Sequence, residues 1–153
     1  MFEHLRKLLA DPGARGPAGA PADERRLAAA VLLLEVARAD YDHHPAERDA
    51  LRGALAREFQ VPEDTLDALL EAAELKAKES VSLFEFVQTL NRAMSAEEKR
   101  ALVELLWDVA HSDGRVDPHE EHLLRRIADL LHVPHADFIR GKLAAAHRKS
   151  QDP

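Results

Sequence analysis

The feature that most constrains the fold is a segment that occurs twice, at residues 36–47 and at residues 109–120. Five residues of the first copy recur 73 positions later: Val36, Ala37, Asp40, Pro45 and Glu47. With a single deletion, the two copies stay in phase for about thirty residues, and such self-similarity means that the unit of structure is half of the chain. The sequence therefore predicts two tandem repeats.

The composition indicates that these repeats are helical. Alanine and leucine dominate the 153 residues and aromatic residues make up only 5%, which favours helices over strands. Residues 27–37 and 102–110 are apolar on nearly every side, and this predicts two central, buried helices. We therefore predict an all-α fold, a single multihelical domain at residues 23–147. In it, two tandem helical repeats, about 23–78 and 96–147, surround the two central helices.

The chain differs in character on either side of this domain. Residues 1–10 have the spacing of an amphipathic helix, which we expect to pack on the body or on a partner. The apolar positions of this segment are Phe2, Leu5, Leu8 and Leu9. Residues 11–22 are rich in glycine and proline, which predicts a flexible tether. The polar residues 148–153 predict a frayed tail.

Charge and cysteine content limit the partners of the chain. The formal net charge is −7, which disfavours nucleic acid and anionic membrane surfaces and favours cations or basic protein surfaces. The absence of cysteine excludes disulfides and thiolate metal sites. The apolar runs are too short to span a bilayer and no signal peptide is recognisable, so we predict a cytoplasmic protein that is not transmembrane.

The acidic residues of the second copy have two interpretations. Asp113-Gly114 has the composition of a helix stop, and Asp117-Pro118 that of a helix start, with Glu120 at the third helical position. In the first interpretation the carboxylates are caps, each worth about 1 kcal/mol. In the second, Asp113, Asp117 and Glu120 bind a hard divalent cation such as calcium, magnesium or manganese. The spacing is not that of an EF-hand loop.

The first copy has drifted from this pattern. Tyr41 stands where the second copy has glycine, and a bulky residue is uncommon at a left-handed backbone position. We expect a weaker or differently arranged cation site there, formed by Asp40, Asp42 and Glu47.

A polar stripe interrupts the two apolar helices. Glu35 and Asp108 occupy equivalent positions, and each is followed three residues later by Arg38 or His111. This spacing predicts a partly buried ion pair that fixes how the helices meet.

The repeated motif resembles that of a known family. The pattern is a hydrophobic helix, then Ala-x-x-Asp-Gly-x-Val-x-x-x-Glu, then a second hydrophobic helix. Residues 109–120 carry this pattern fully and residues 36–47 carry it in part. The pattern resembles the motif of the tellurite-resistance TerB-like family. The resemblance implies a duplicated all-helical fold, acidic residues at the motif turns that are proposed to bind divalent cations, and a stress-response role beside membrane-associated partners.

We therefore expect a non-enzymatic TerB-like helical module in the bacterial, tellurite-type stress response. It binds a protein partner through an acidic face, with a divalent cation assisting at the motif turns, in the cytoplasm or at the periphery of the inner membrane. The alternative is a protein whose main function is to bind or sense a divalent cation. A third interpretation is a hydrolase that uses Asp113, Asp117 and Glu120 around a metal.

Overall fold

Seven α-helices make up the part of the chain that the computed structural model describes. The described residues are 22–39, 45–57, 59, 61–80, 82–112 and 116–151. In chain order the helices are α1 (Ala22–Arg38), α2 (Pro45–Arg57), α3 (Glu63–Glu79), α4 (Phe84–Ala93), α5 (Ala96–Ala110), α6 (Pro118–Leu130) and α7 (His135–Gln151). Because these residues contain no strand, the prediction of an all-α fold is confirmed.

Helices α1 and α5 lie at the centre of the structure, as their apolar sequences predicted. Residues 28–34 of α1 are at most 2% exposed, and residues 101–107 of α5 are at most 8% exposed. Helix α1 packs against α2, α3, α4, α5 and α6, whereas α5 packs against α1, α2, α6 and α7. Helices from both halves of the chain therefore bury each central helix.

The order of helices is the same in the two halves. Helices of 17, 13 and 17 residues precede α4, and helices of 15, 13 and 17 residues follow it. The third helix of each set packs on the first, α3 on α1 and α7 on α5. Helix α4 lies against α1 and α6 and so links the two sets.

A capping box begins the second central helix. The Ser95 hydroxyl accepts a hydrogen bond from the Glu98 amide at 3.2 Å, and the Glu98 carboxylate accepts one from the Ser95 amide at 2.9 Å. These two bonds satisfy amides that have no partner inside the helix. The start of α5 is therefore determined by residues three positions apart in the sequence.

The C-terminal end of the chain differs from its prediction. Residues 148–151 belong to α7, whereas the sequence predicted a frayed tail from residue 148. The physical reason is Arg148, which forms ion pairs with Glu104 and Asp108 of α5 and so holds the end of the helix against the core.

Several predictions concern residues outside those described. They include the N-terminal amphipathic helix at residues 1–10 and most of the tether at residues 11–22. Ala22 is the one described residue of the tether, and it lies at the start of α1. Within residues 22–151, no described helix is long and apolar enough to cross a lipid bilayer.

Candidate functional site

The start of α6 is built from two of the predicted site residues. Asp117 has an extended backbone and its carboxylate accepts a hydrogen bond from the His119 amide at 2.7 Å. The Glu120 carboxylate accepts one from the Asp117 amide at 3.1 Å. Pro118 occupies the first turn, where its missing N–H costs nothing. The capping interpretation is therefore confirmed for Asp117 and Glu120.

The two carboxylates differ in burial. Glu120 is 0% exposed, whereas Asp117 is half-buried. A buried carboxylate is costly unless it is hydrogen-bonded, and the Asp117 amide together with the positive end of the α6 dipole offsets that cost. Glu120 thus belongs to the interior of the turn and adds nothing to an acidic surface.

The predicted cation ligands are only partly described. Three of them lie outside the described residues: Asp113, Asp40 and Asp42. The backbone of Glu47 belongs to α2, but its side chain is not among those described. The structure brings Asp117 and Glu120 together at one turn, directly after the segment that contains Asp113. Among the residues that are described, no group of three or more histidine, aspartate or glutamate side chains is arranged to hold a metal ion.

Helix α3 carries an acidic surface that the sequence analysis did not single out. Its members, which we call the acidic face of α3, are Glu63, Asp64, Asp67 and Glu71, and all are exposed. Their spacings of three and four residues put them on one side of the helix. This periodicity was the signal in the sequence that could have revealed the face.

The stability of α3 explains only part of the acidic face. Acidic residues in the first turn, Glu63 and Asp64, are favourable because of the helix dipole. Asp67 and Glu71 lie further along, and like charges four residues apart destabilise a helix by roughly 0.2 to 0.5 kcal/mol. The spacing of the Asp67 and Glu71 charges therefore favours a role in binding another molecule.

One cation from α2 reaches the acidic face. The Arg52 guanidinium lies 2.6 Å from the Asp67 carboxylate, and this hydrogen bond raises the pKa of Arg52 above its ordinary value. Asp67 nevertheless remains 80% exposed. The ion pair ties α2 to α3 while leaving the carboxylate accessible.

The motif and the helices around it decide the family. The sequence model described as "Tellurite resistance protein TerB" matches residues 26–143, which takes in both copies of the motif and both central helices. The chain belongs to the TerB family. The resemblance noted in the sequence is thereby confirmed. Comparisons with curated proteins and with solved structures found no match.

Within this TerB domain, an ion-pair cluster joins the ends of α5 and α7. Arg148 lies 2.6 Å from Asp108 and also pairs with Glu104. Burial lowers the pKa of Arg148, but hydrogen bonds to Asp108 and Glu104 outweigh it and the pKa is raised. Asp108, one residue of the predicted polar stripe, therefore joins α5 to α7 in this TerB chain through Arg148, a partner forty positions away that the spacing within α5 did not predict.

Proposed function

We propose that this TerB-family chain is a non-enzymatic cytoplasmic module of the tellurite-type stress response that binds a basic protein partner through the acidic face of α3. Membership of the family is the basis for the stress-response role. The observation that carries the binding role is the row of four exposed carboxylates on one side of α3.

The surroundings of the acidic face support a protein partner. Leu75 is 58% exposed and lies one helical turn beyond Glu71, so it follows the row of carboxylates along α3. Interfaces commonly combine an apolar anchor with charged groups around it. The carboxylates speed the encounter with a basic surface and select against acidic ones, whereas Leu75 supplies apolar contact area.

Neutralising the acidic face should remove the partner without unfolding the protein. The test variant carries Glu63→Gln, Asp64→Asn, Asp67→Asn and Glu71→Gln. The matched control removes the same number of exposed charges elsewhere, through Glu24→Gln, Glu85→Gln, Glu97→Gln and Asp129→Asn. We expect roughly a tenfold or greater loss of binding for the test variant alone, because several close charge pairs together are worth more than 1.4 kcal/mol.

The measurement is affinity capture from a lysate of the bacterium that makes the protein, followed by quantitative mass spectrometry. One protein should be retained by the wild type and the control and be depleted with the test variant. Binding of the same proteins by all three forms would contradict the proposed docking face. Thermal melts of each variant establish that the fold is intact.

A second proposal is that binding or sensing a divalent cation is the main function, or assists partner binding. The observation that favours it is that Asp117 and Glu120 lie at the same helix start, directly after the segment that contains Asp113. A calcium, magnesium or manganese ion would supply positive charge that draws these oxygen ligands together.

Added cation should raise the melting temperature if this second proposal is correct. Glu120→Gln retains an oxygen that accepts from the Asp117 amide but removes the charge, so it should abolish the rise. A cation at a hundred times its dissociation constant stabilises the fold by about 2.7 kcal/mol. The matched control is Glu98→Gln, since Glu98 occupies the same capping position in α5. If the melting temperature of the wild type does not change in millimolar calcium, magnesium or manganese, the second proposal is wrong.

A further inference from the structure

A groove of about 450 Å³ runs along the surface between α1 and α3. Its apolar lining consists of Leu27, Val61, Pro62, Leu69 and Ala72. Leu27 and Leu69 are half-buried, and Pro62 and Ala72 are exposed. Arg26 and Thr65 complete the lining. Apolar side chains thus predominate in an open groove, which is the kind of surface that receives the apolar side of a helix.

The length of the groove sets the size of its occupant. Pro62 and Ala72 are ten residues apart, and a rise of 1.5 Å per residue makes this distance about 15 Å along α3. A helix of about ten residues has the same length. The groove therefore fits two to three turns of an amphipathic helix.

We propose that this groove binds residues 1–10 of the same chain. These residues lie outside those described, and their sequence has the required pattern: Phe2, Leu5, Leu8 and Leu9 share one side of a helix. From Phe2 to Leu9 such a helix would span about 10 Å, which is within the length of the groove.

The connection between the two parts of the chain is short. The groove is lined by Leu27, five residues and about 8 Å beyond the start of α1 at Ala22. Residues 11–21 join the segment to Ala22, and a tether of that length and composition spans on the order of 18 Å. Such a tether holds the segment at a roughly millimolar effective concentration near the groove. Even a weak apolar contact is then populated.

Charge favours the same placement. Arg6 and Lys7 lie on the polar side of the segment, and Glu63 and Asp64 are exposed directly after Pro62 at one end of the groove. Opposite charges at the rim orient the segment and do not need to be buried.

A spin label on the segment tests this docking in the full chain. The chain has no cysteine, so His4→Cys provides a single labelling site on the polar side. The methyl groups of Val61 and Leu69, which line the groove from the α3 side, should lose roughly half or more of their NMR intensity when the label is paramagnetic, because a millimolar effective concentration populates the docked form. The methyl groups of Ile139 and Leu143, exposed on α7, should be unaffected.

Two matched variants of the labelled chain separate docking from mere tethering. Leu5→Ser with Leu8→Ser removes apolar contact and should lower the broadening at Val61 and Leu69 to the weaker level that the tether alone gives. Glu3→Ser with Ala10→Ser changes the polar side without touching the apolar residues or the two cations, and it should retain the broadening. Broadening that the leucine changes leave undiminished, that spreads equally over all methyl groups, or that falls on Ile139 and Leu143 would overturn the proposal.

Discussion

Replacing Trp107 with alanine should lower the free energy of unfolding by roughly 3 to 5 kcal/mol, the range for large aromatic side chains removed from a core. Trp107 is 0% exposed in the central helix α5. Its indole ring lies 5.0 Å from the ring of Phe138, measured between centroids, and its Nε1 donates to the Phe138 carbonyl at 3.1 Å. The change therefore removes packing and a hydrogen bond that both hold α7.

Urea unfolding followed by far-ultraviolet circular dichroism measures this effect, since Trp107 is the only tryptophan and its fluorescence is lost. Trp107→Phe is the control: it keeps an aromatic ring but loses the N–H donor, and we expect a smaller cost than for alanine. A cost for Trp107→Ala below about 1 kcal/mol would mean that α7 is not held through this residue.

A chain that ends at Asn91 should not fold cooperatively. In the full chain α1 packs against α5 and α6, and α2 packs against α5, so removal of α5, α6 and α7 uncovers apolar faces of α1 and α2. A half that cannot bury its apolar surface has no stable core to oppose the loss of conformational entropy. We expect a broad or absent thermal transition and strong binding of a hydrophobic dye.

Adding the complementary fragment, residues 92–153, should restore a cooperative transition, because it supplies the missing cover of α1 and α2. This recovery distinguishes a missing core from general damage by truncation. A sharp two-state melt with dispersed amide resonances for residues 1–91 alone would contradict a core that is shared between the halves.

The sequence by itself determined those features that depend on residues close together in the chain. The apolar runs at residues 27–37 and 102–110 predicted the two central helices, because a helix that is apolar on all sides has to be buried. The capping box of Asp117 and Glu120 was also predictable from the sequence, because its hydrogen bonds join residues two and three positions apart. The family followed from the spacing of one repeated motif.

The tertiary structure alone decided which distant residues meet. Arg148 was assigned to a frayed tail, but the packing of α7 on α5 brings it against Asp108 and Glu104. Gly141 lies inside α7, where a Cβ would be only 3.2 Å from Cδ1 of Trp107, so glycine at this position leaves room for the packing of α7 on α5. Such contacts depend on the angle and distance between helices, which the spacing of residues within one helix does not encode.

The same distinction between local and tertiary features applies to the candidate sites. The spacing of the carboxylates in α3 is local and could have been recognised in the sequence, whereas their exposure depends on which side of α3 packs against α1. The groove between α1 and α3 is formed by residues more than thirty positions apart, such as Leu27 and Val61. The burial of Glu120 likewise required the fold, because a cap is satisfied equally well at the surface or in the interior, and only the surrounding helices exclude water from it.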